Sequence, residues 1–221
     1  RLTSIHPGPT QKNLSSMEHF EDEEWIDFHM HQTHGDKAEY TLLNQDYTRD
    51  DGPIVSAEPG YDGEFGEDRS EVRKDMYQVM FSGLAAGYTY GVTGIAFDFS
   101  CINNIKRQSS LDLERMVNLL NNFQWWKLTN DQQIIISGEG SGDNRKIATK
   151  LPDGSRQHVY FPSNTEAEID LSPIETNEVE LLWYNISSSI ENKESEYLTS
   201  DTVIVQPPEE WEDCMLIMKS V

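Results

Sequence analysis

Residues Gly52–Gly63, GPIVSAEPGYDG, contain the feature that decides the fold. Ile54 and Val55 are β-branched and apolar, which predicts a short buried strand. Pro59 has no N–H to donate to a strand ladder, and the glycine after it tolerates a positive φ, so we expect the strand to end in a turn. Glu58 then lies at the C-terminal end of a buried strand, where a (β/α)8 barrel carries its chemistry. The alternative is a solvated loop carboxylate.

The segments around this strand alternate between strands and helices. We expect a strand end at 2–5, a strand at 25–32, a helix at 37–49, a helix from a Ser70 N-cap to about residue 83, a strand at 88–97 and a helix from a Ser110 N-cap to Trp125. Such alternation is the signature of parallel βα units. The apolar faces of the last two helices are predicted at 72, 76, 79, 80 and 83, and at 113, 116, 117, 120 and 123.

After Lys127 the pattern changes from helices to short strands separated by turns. Seven strands are predicted, at 132–137, 146–150, 157–161, 168–171, 179–184, 202–206 and 214–219. This spacing favours an antiparallel β-sandwich. The sequence therefore predicts two domains, residues 1–127 of the α/β class and residues 128–221 of the all-β class.

Composition excludes some classes of partner. The chain has 221 residues, a formal net charge of −22 and a pI of about 4.4. A chain this acidic repels phosphate backbones and anionic lipid surfaces, so we expect neither nucleic acid nor membrane as a partner. No apolar run reaches the length of a membrane span. The two cysteines, Cys101 and Cys214, form no metal motif; two free buried thiols or one bridge are the alternatives.

Three histidines raise the question of a metal site. His29 and His31 are two residues apart on the strand at 25–32, so they share a face, and His34 follows. This face also carries Asp27, whereas Ile26, Phe28 and Met30 occupy the other. No carboxylate stands at a familiar ligand spacing, so we expect a polar cleft lining rather than a metal site, and no cofactor.

Several motifs in order resemble one family, the apiosidase-like glycoside hydrolases, also catalogued as DUF4038. The matching pieces are WIDFHMHQTH at 25–34, GPIVSAEPGYDG at 52–63 and VRKDMYQVMFSGLAAGYTYGVTGI at 72–95. Within them lie the family's Glu-Pro-x-Tyr and Thr-Tyr-Gly patterns. The family's Ser-Gly-His is Thr-His-Gly here, and Asp62 replaces a glutamate. The second half is similar to the small β-domain that follows these barrels and is catalogued as collagen-binding.

The resemblance implies a (β/α)8 barrel and a retaining glycosidase. The strand that ends at Glu58 would be the seventh, which makes Glu58 the nucleophile. His6, Gln32, His34 and Tyr90 would hydrogen-bond this carboxylate or sugar hydroxyls, and Tyr61 would stack on a sugar ring. For Tyr90, core packing is the alternative. Trp25 could stack on sugar or belong to the core, and the acidic residues at 62–68 are expected to form a solvated loop.

The resemblance extends over nearly the whole chain, but of the eight barrel strands it includes only the last four. We therefore expect a C-terminal barrel half whose first half, with the acid/base residue, lies upstream in a longer enzyme or in a second chain. The expected substrate is a plant-type polysaccharide or oligosaccharide side chain, and the expected location is secreted or periplasmic. The chain by itself should be inactive. A non-catalytic carbohydrate-binding module and a structural fragment are the competing functions.

Overall fold

A computed structural model describes residues 1–8, 14–33, 39–49, 52–63, 67–92, 106–174, 176, 178–188, 194–198 and 201–221. The chain splits into two compact units, residues 1–80 with 84–114 and residues 81–83 with 115–221. The domain boundary near residue 127 stays a prediction.

The first unit is built on three parallel strands. Its elements are α1 (Met17–Phe20), β1 (His29–Gln32), α2 (Glu39–Arg49), β2 (Ile54–Glu58), α3 (Arg69–Met80), β3 (Gly87–Tyr88) and the start of α4 (Gln108–Leu120). The strand order is β1-β2-β3, so β2 is central, and both ladders are parallel. Parallel strands joined through helices are what the alternating sequence pattern predicted. A complete half-barrel stays a prediction.

The predicted strands of this unit are longer than the observed ones. The segment 2–5 is not a strand, because only isolated bonds, such as the one from the Asp27 amide to the Thr3 carbonyl (2.9 Å), tie it to the neighbouring chain. Strand β1 begins at His29 rather than Trp25, and β3 ends at Tyr88, with residues 93–97 outside the described part.

The helix predictions need two corrections. Asp68, not Ser70, caps α3, since its Oδ1 accepts the amides of Ser70 (2.7 Å) and Glu71 (3.1 Å). Four of the five predicted apolar positions of α3, at 72, 76, 79 and 80, are buried, whereas Gly83 lies beyond the end of the helix at Met80. On α4, however, Val117 is 44% exposed, and the buried apolar positions are Met116, Leu119 and Leu120.

The second unit consists of two antiparallel sheets. Its strands are β4 (Thr129–Asn130), β5 (Ile135–Ser137), β6 (Ile147–Lys150), β7 (Arg156–Phe161), β8 (Ala167–Asp170), β9 (Val179–Asn185), β10 (Glu194–Leu198), β11 (Thr202–Val205) and β12 (Cys214–Ser220). One sheet has the order β10-β9-β12-β7-β6-β4 and the other β11-β8-β5. All seven predicted strands correspond to observed ones, while β4 and β10 were missed.

Side chains from both sheets form one apolar core in this unit. It includes Val159 and Leu216 of the larger sheet and Ile169 of the smaller one, all fully buried. Cys214 belongs to this core as a free thiol, and Cys101 lies outside the described residues. Burial raises the pKa of the Cys214 thiol well above its usual value. A sandwich architecture stays a prediction. Among the described residues, no helix has the length and hydropathy needed to traverse a bilayer.

Candidate active site

Glu58 is the last residue of the central parallel strand. Ile54 at the start of β2 is fully buried, and the strand ends where Pro59 interrupts the ladder. The Glu58 side chain is 18% exposed, so its carboxylate is accessible but held within the structure. A carboxylate at the C-terminal end of a parallel strand occupies the position that the sequence predicted for catalysis.

Three side chains converge on the two oxygens of Glu58. Gln32 donates from Nε2 to Oε2 at 2.6 Å, and His6 Nε2 lies 3.2 Å from the same oxygen. The hydroxyl of Tyr61 donates to Oε1. Hydrogen bonds to both oxygens orient a carboxylate and stabilise its ionised form. The structure thus brings His6, Gln32 and Tyr61 of the predicted set together around the predicted nucleophile.

A register shift places Gln32 beside Glu58. In the ladder between β1 and β2, His31 pairs with Ser56 but Gln32 pairs with Glu58, which leaves Ala57 as an extra residue. Such bulges redirect side chains and are frequent next to active sites. Without it, Gln32 would face Ala57. The backbone beyond the bulge is tied as well, because the Thr33 amide donates to the Glu58 carbonyl at 3.0 Å.

Tyr61 is fixed to the carboxylate by its surroundings. Its ring lies against Gly91, where a Cβ atom would collide with the ring carbons. The next residue, Asp62, bonds its amide to the Gly91 carbonyl at 3.0 Å. Sugar stacking by Tyr61 stays a prediction, and the structure gives its hydroxyl a direct bond to Glu58. A glycine at 91 therefore leaves the space that this bond requires.

Asp62 is the centre of a second polar network in the first unit. The residue is only 7% exposed, so the prediction that it belongs to a solvated loop is wrong. Arg107 Nη1 lies 3.0 Å from Oδ1, and the Ser109 hydroxyl donates to Oδ2. These partners follow Asp62 by more than forty residues, and they neutralise the carboxylate and fix the turn that carries Tyr61.

Tyr90 joins the Asp62 network. Its hydroxyl donates to Asp62 Oδ2 at 3.1 Å and lies 2.9 Å from Ser109 Oγ. Burial raises the pKa of Tyr90, hydrogen bonds from two serines lower it and the charge of Asp62 raises it, with a net upward shift. The phenol is therefore a neutral donor at ordinary pH. The structure brings Tyr90 to the residue beside Tyr61, and its role as a sugar ligand stays a prediction.

The histidine face of β1 is buried and does not line a cleft. His31 is fully buried, with Nε2 2.9 Å from Asp46 Oδ2 and Nδ1 3.9 Å from Glu39 Oε1. His29 is 4% exposed and its Nδ1 lies 3.1 Å from the Ser16 hydroxyl. The expectation of a cleft lining is thus wrong for both. Hydrogen bonds with Asp46 of α2 and with Ser16 help this face to be buried.

The pKa of Asp46, the partner of His31, is lowered by its surroundings. Burial raises the pKa of Asp46, but hydrogen bonds from His31 and Ser15 and the charges of His31 and Arg49 outweigh burial, so the pKa falls below its ordinary value. Among the described residues, no group of three His, Cys, Asp or Glu side chains has an arrangement that could hold a metal ion. His34 lies outside the described residues.

Trp25 is 45% exposed, which sets aside the possibility that it belongs to the core. Its indole N–H donates to Glu23 Oε2 at 2.8 Å, and its ring meets Phe20 edge to face with centroids 6.0 Å apart. An exposed indole with a fixed orientation is compatible with stacking on a sugar. Stacking stays a prediction.

Comparison with known proteins identifies the family. The "Apiosidase-like, catalytic domain" family matches residues 1–127, more than half of the chain. The chain belongs to the apiosidase-like family. Residues 130–219 match a second family, described as "Putative collagen-binding domain of a collagenase". No curated protein matches the chain.

Solved structures of glycoside hydrolases share the fold. A family 5 glycoside hydrolase from Bacteroides vulgatus is 21% identical with a TM-score of 0.84, over 99% of this chain and 56% of that one. A second structure, named glycoside hydrolase, is 18% identical with a TM-score of 0.80, over 93% of this chain and 55% of that one. A glucosidase from Croceicoccus marinus is 11% identical with a TM-score of 0.53, over 89% and 54%. The chain thus spans little more than half the length of the structures that it matches.

Proposed function

We propose that this chain provides the nucleophile of a retaining glycosidase and that Glu58 is that nucleophile. The observation that carries the proposal is the position of Glu58 at the C-terminal end of the central parallel strand, with donors on both carboxylate oxygens. Membership of the apiosidase-like family and the fold shared with glycoside hydrolases support it.

In this mechanism a carboxylate oxygen of Glu58 attacks the anomeric carbon as the bond to the leaving oxygen breaks. A general acid protonates the leaving oxygen, and water then hydrolyses the covalent glycosyl ester with the same residue acting as base. Gln32, His6 and Tyr61 orient the nucleophile before attack. When the ester forms, the attacking oxygen loses its charge, so the hydrogen bond to this oxygen weakens. Hydrolysis restores the charge of the carboxylate and the strength of this hydrogen bond, which favours the second step.

The acid/base residue belongs, in this proposal, to a barrel half that precedes residue 1 in the natural protein or comes from a second chain. The chain covers only 56% and 55% of the two glycoside hydrolase structures, which supports the proposal that another part of the barrel exists. We propose further that the first unit is the C-terminal half of a (β/α)8 barrel and the second an accessory β-sandwich. The proposed substrate is a plant-type polysaccharide side chain, as the family name suggests, and the proposed location is outside the cytoplasm.

The test uses a protein extended upstream by the missing half-barrel. Hydrolysis of aryl glycosides and of pectic oligosaccharides is measured for the parent, for Glu58→Gln and for Glu71→Gln, a matched loss of one carboxylate on α3. We expect Glu58→Gln to lower kcat by at least ~100-fold, since a carboxamide is a poor nucleophile, and Glu71→Gln to retain most activity. Parental turnover by Glu58→Gln would overturn the proposal.

A further inference from the structure

The second unit contains a cavity of about 590 Å³ that the proposed hydrolysis does not use. It lies at the start of β7 and the end of β12, next to the segment 123–127. This volume is within the range of ligand pockets, and a monosaccharide or disaccharide would fit in it. The residues that matter for recognition are Phe123, Lys127, Asp153, Ser155, Arg156 and Lys219.

The charge of this cavity is opposite to that of the chain. Three of its lining residues are basic and one is acidic, whereas the chain has 17 basic and 39 acidic residues. Two of the basic residues, Arg156 and Lys219, are directly opposite each other on the antiparallel ladder of β7 and β12. Like charges in this position repel each other unless an anion lies nearby.

Neighbouring carboxylates do not cancel all of this positive charge. Glu180 neutralises Lys219, with Nζ 2.6 Å from Oε2. The Asp153 carboxylate accepts the hydroxyl (2.6 Å) and the amide (3.0 Å) of Ser155, which holds it in the turn. The hydrogen bonds from Ser155 lower the pKa of the Asp153 carboxyl, and the charge of Lys127, which is exposed, adds a smaller contribution in the same direction.

Arg156 is the basic residue of this cavity whose charge is not neutralised by a carboxylate of the described chain. Within the part of the chain that the structure describes, no carboxylate forms an ion pair with it. Its guanidinium lies 5.5 Å from the centroid of the Phe123 ring. Burial lowers the pKa of Arg156, yet an arginine keeps its charge. A half-buried guanidinium that faces an aromatic ring and has no anionic partner is suited to receive one from a ligand.

We propose that this cavity binds the carboxylate of an acidic sugar, a uronic acid residue of a polysaccharide. The planar guanidinium of Arg156 matches a carboxylate with two parallel hydrogen bonds, and Lys127 adds charge at the rim. The exposed part of Phe123 supplies an apolar surface for the sugar ring. The preference for a sugar rests on the proposed function, whereas the preference for an anion rests on the cavity itself. Such a site would hold the chain on an acidic polysaccharide.

The test is a titration of the ¹⁵N-labelled chain with galacturonate, with galactose as the neutral match and inorganic phosphate and sulfate as other anions. We expect galacturonate to shift amides within 123–127 and 151–156 and galactose to leave them unchanged. Equal binding of galactose would overturn the role of charge. Binding of phosphate or sulfate as tight as that of galacturonate would overturn the assignment to a sugar acid.

Variants locate the site. Arg156→Gln should weaken galacturonate binding by roughly tenfold or more, the effect of losing a charged hydrogen-bond donor. Arg145→Gln is the matched control, because Arg145 already pairs with Glu139 at 2.7 Å, and it should bind as the parent does. Lys127→Gln should weaken binding by roughly threefold, and as an exposed residue its loss does not threaten folding.

Parental affinity in both Arg156→Gln and Lys127→Gln would overturn the proposal. Shifts confined to residues around Glu58 would place the ligand at the active site and would overturn it as well, while leaving the proposed hydrolysis intact. Conversely, an inactive site at Glu58 would not alter a titration of the second unit, so failure of either proposal can be distinguished from failure of the other.

Discussion

The fully buried imidazole of His158 should make the second unit less stable as the pH falls. His158 lies on β7 and stacks on Phe123 with ring centroids 4.5 Å apart, and a second ring, Phe81, lies at 5.9 Å. Neither ring nitrogen has a hydrogen-bond partner within the described structure. Burial, with a smaller contribution from the charge of Arg156, lowers the pKa of His158 to about 3.

The direction of the effect follows from this lowered pKa. The unfolded chain binds a proton at His158 below its ordinary pKa of about 6.5, whereas the folded chain stays neutral until about pH 3. The unfolded state therefore gains protons first, and the free energy of unfolding decreases as the pH falls below 6.5. From pH 7 to pH 5 this one group costs about 2 kcal/mol, at about 1.4 kcal/mol per pH unit.

The assay is urea unfolding at pH 7 and pH 5, followed by tryptophan fluorescence. Four of the five tryptophans, at 125, 126, 183 and 211, belong to the second unit, so the signal reports mainly on it. His158→Phe keeps an aromatic ring in the stack and removes the titrating group. The parent should lose about 2 kcal/mol more than the variant between the two pH values. An equal loss in both proteins would show that His158 is not the group that lowers the stability.

Three further predictions concern the first unit. Gly91→Ala should displace Tyr61 from Glu58 and lower kcat of the extended enzyme roughly tenfold, whereas Gly87→Ala, where a new Cβ has only ordinary contacts, should not. Asp62→Asn should lower kcat less than Gly91→Ala, because it loosens only the support of the turn. Asp46→Asn should cost about 2–3 kcal/mol in urea unfolding. It should also abolish the part of the stability that the parent loses below about pH 4, since the lowered pKa of Asp46 stabilises the fold above that pH.

The sequence was sufficient to locate Glu58 because the signal is local: two β-branched residues, a carboxylate and a proline within six positions. Gln32 and His6 could be assigned through the resemblance. Gln32 is the last residue of β1, whereas His6 follows the segment 2–5, which is not a strand in the structure. The bulge that pairs Gln32 with Glu58 was not visible, since a register shift depends on both strands.

The errors arose where partners are distant in sequence. Alternation showed that His29 and His31 share a face, but not that Asp46 of the next helix and Ser16 would bond to that face in the interior. Asp62 was placed in a solvated loop because its neighbours are acidic. Its burial depends on Arg107 and Ser109, which no local pattern connects to it.

Trapping the covalent intermediate tests directly whether Glu58 is the nucleophile. The extended enzyme is incubated with a panel of activated 2-deoxy-2-fluoro aryl glycosides, which form the glycosyl ester readily and hydrolyse slowly, and the modified peptide is identified by mass spectrometry. If Glu58 is the nucleophile, we expect one added glycosyl group, on Glu58, and none in Glu58→Gln. A glycosyl group on another carboxylate, with Glu58 unmodified, would contradict this assignment.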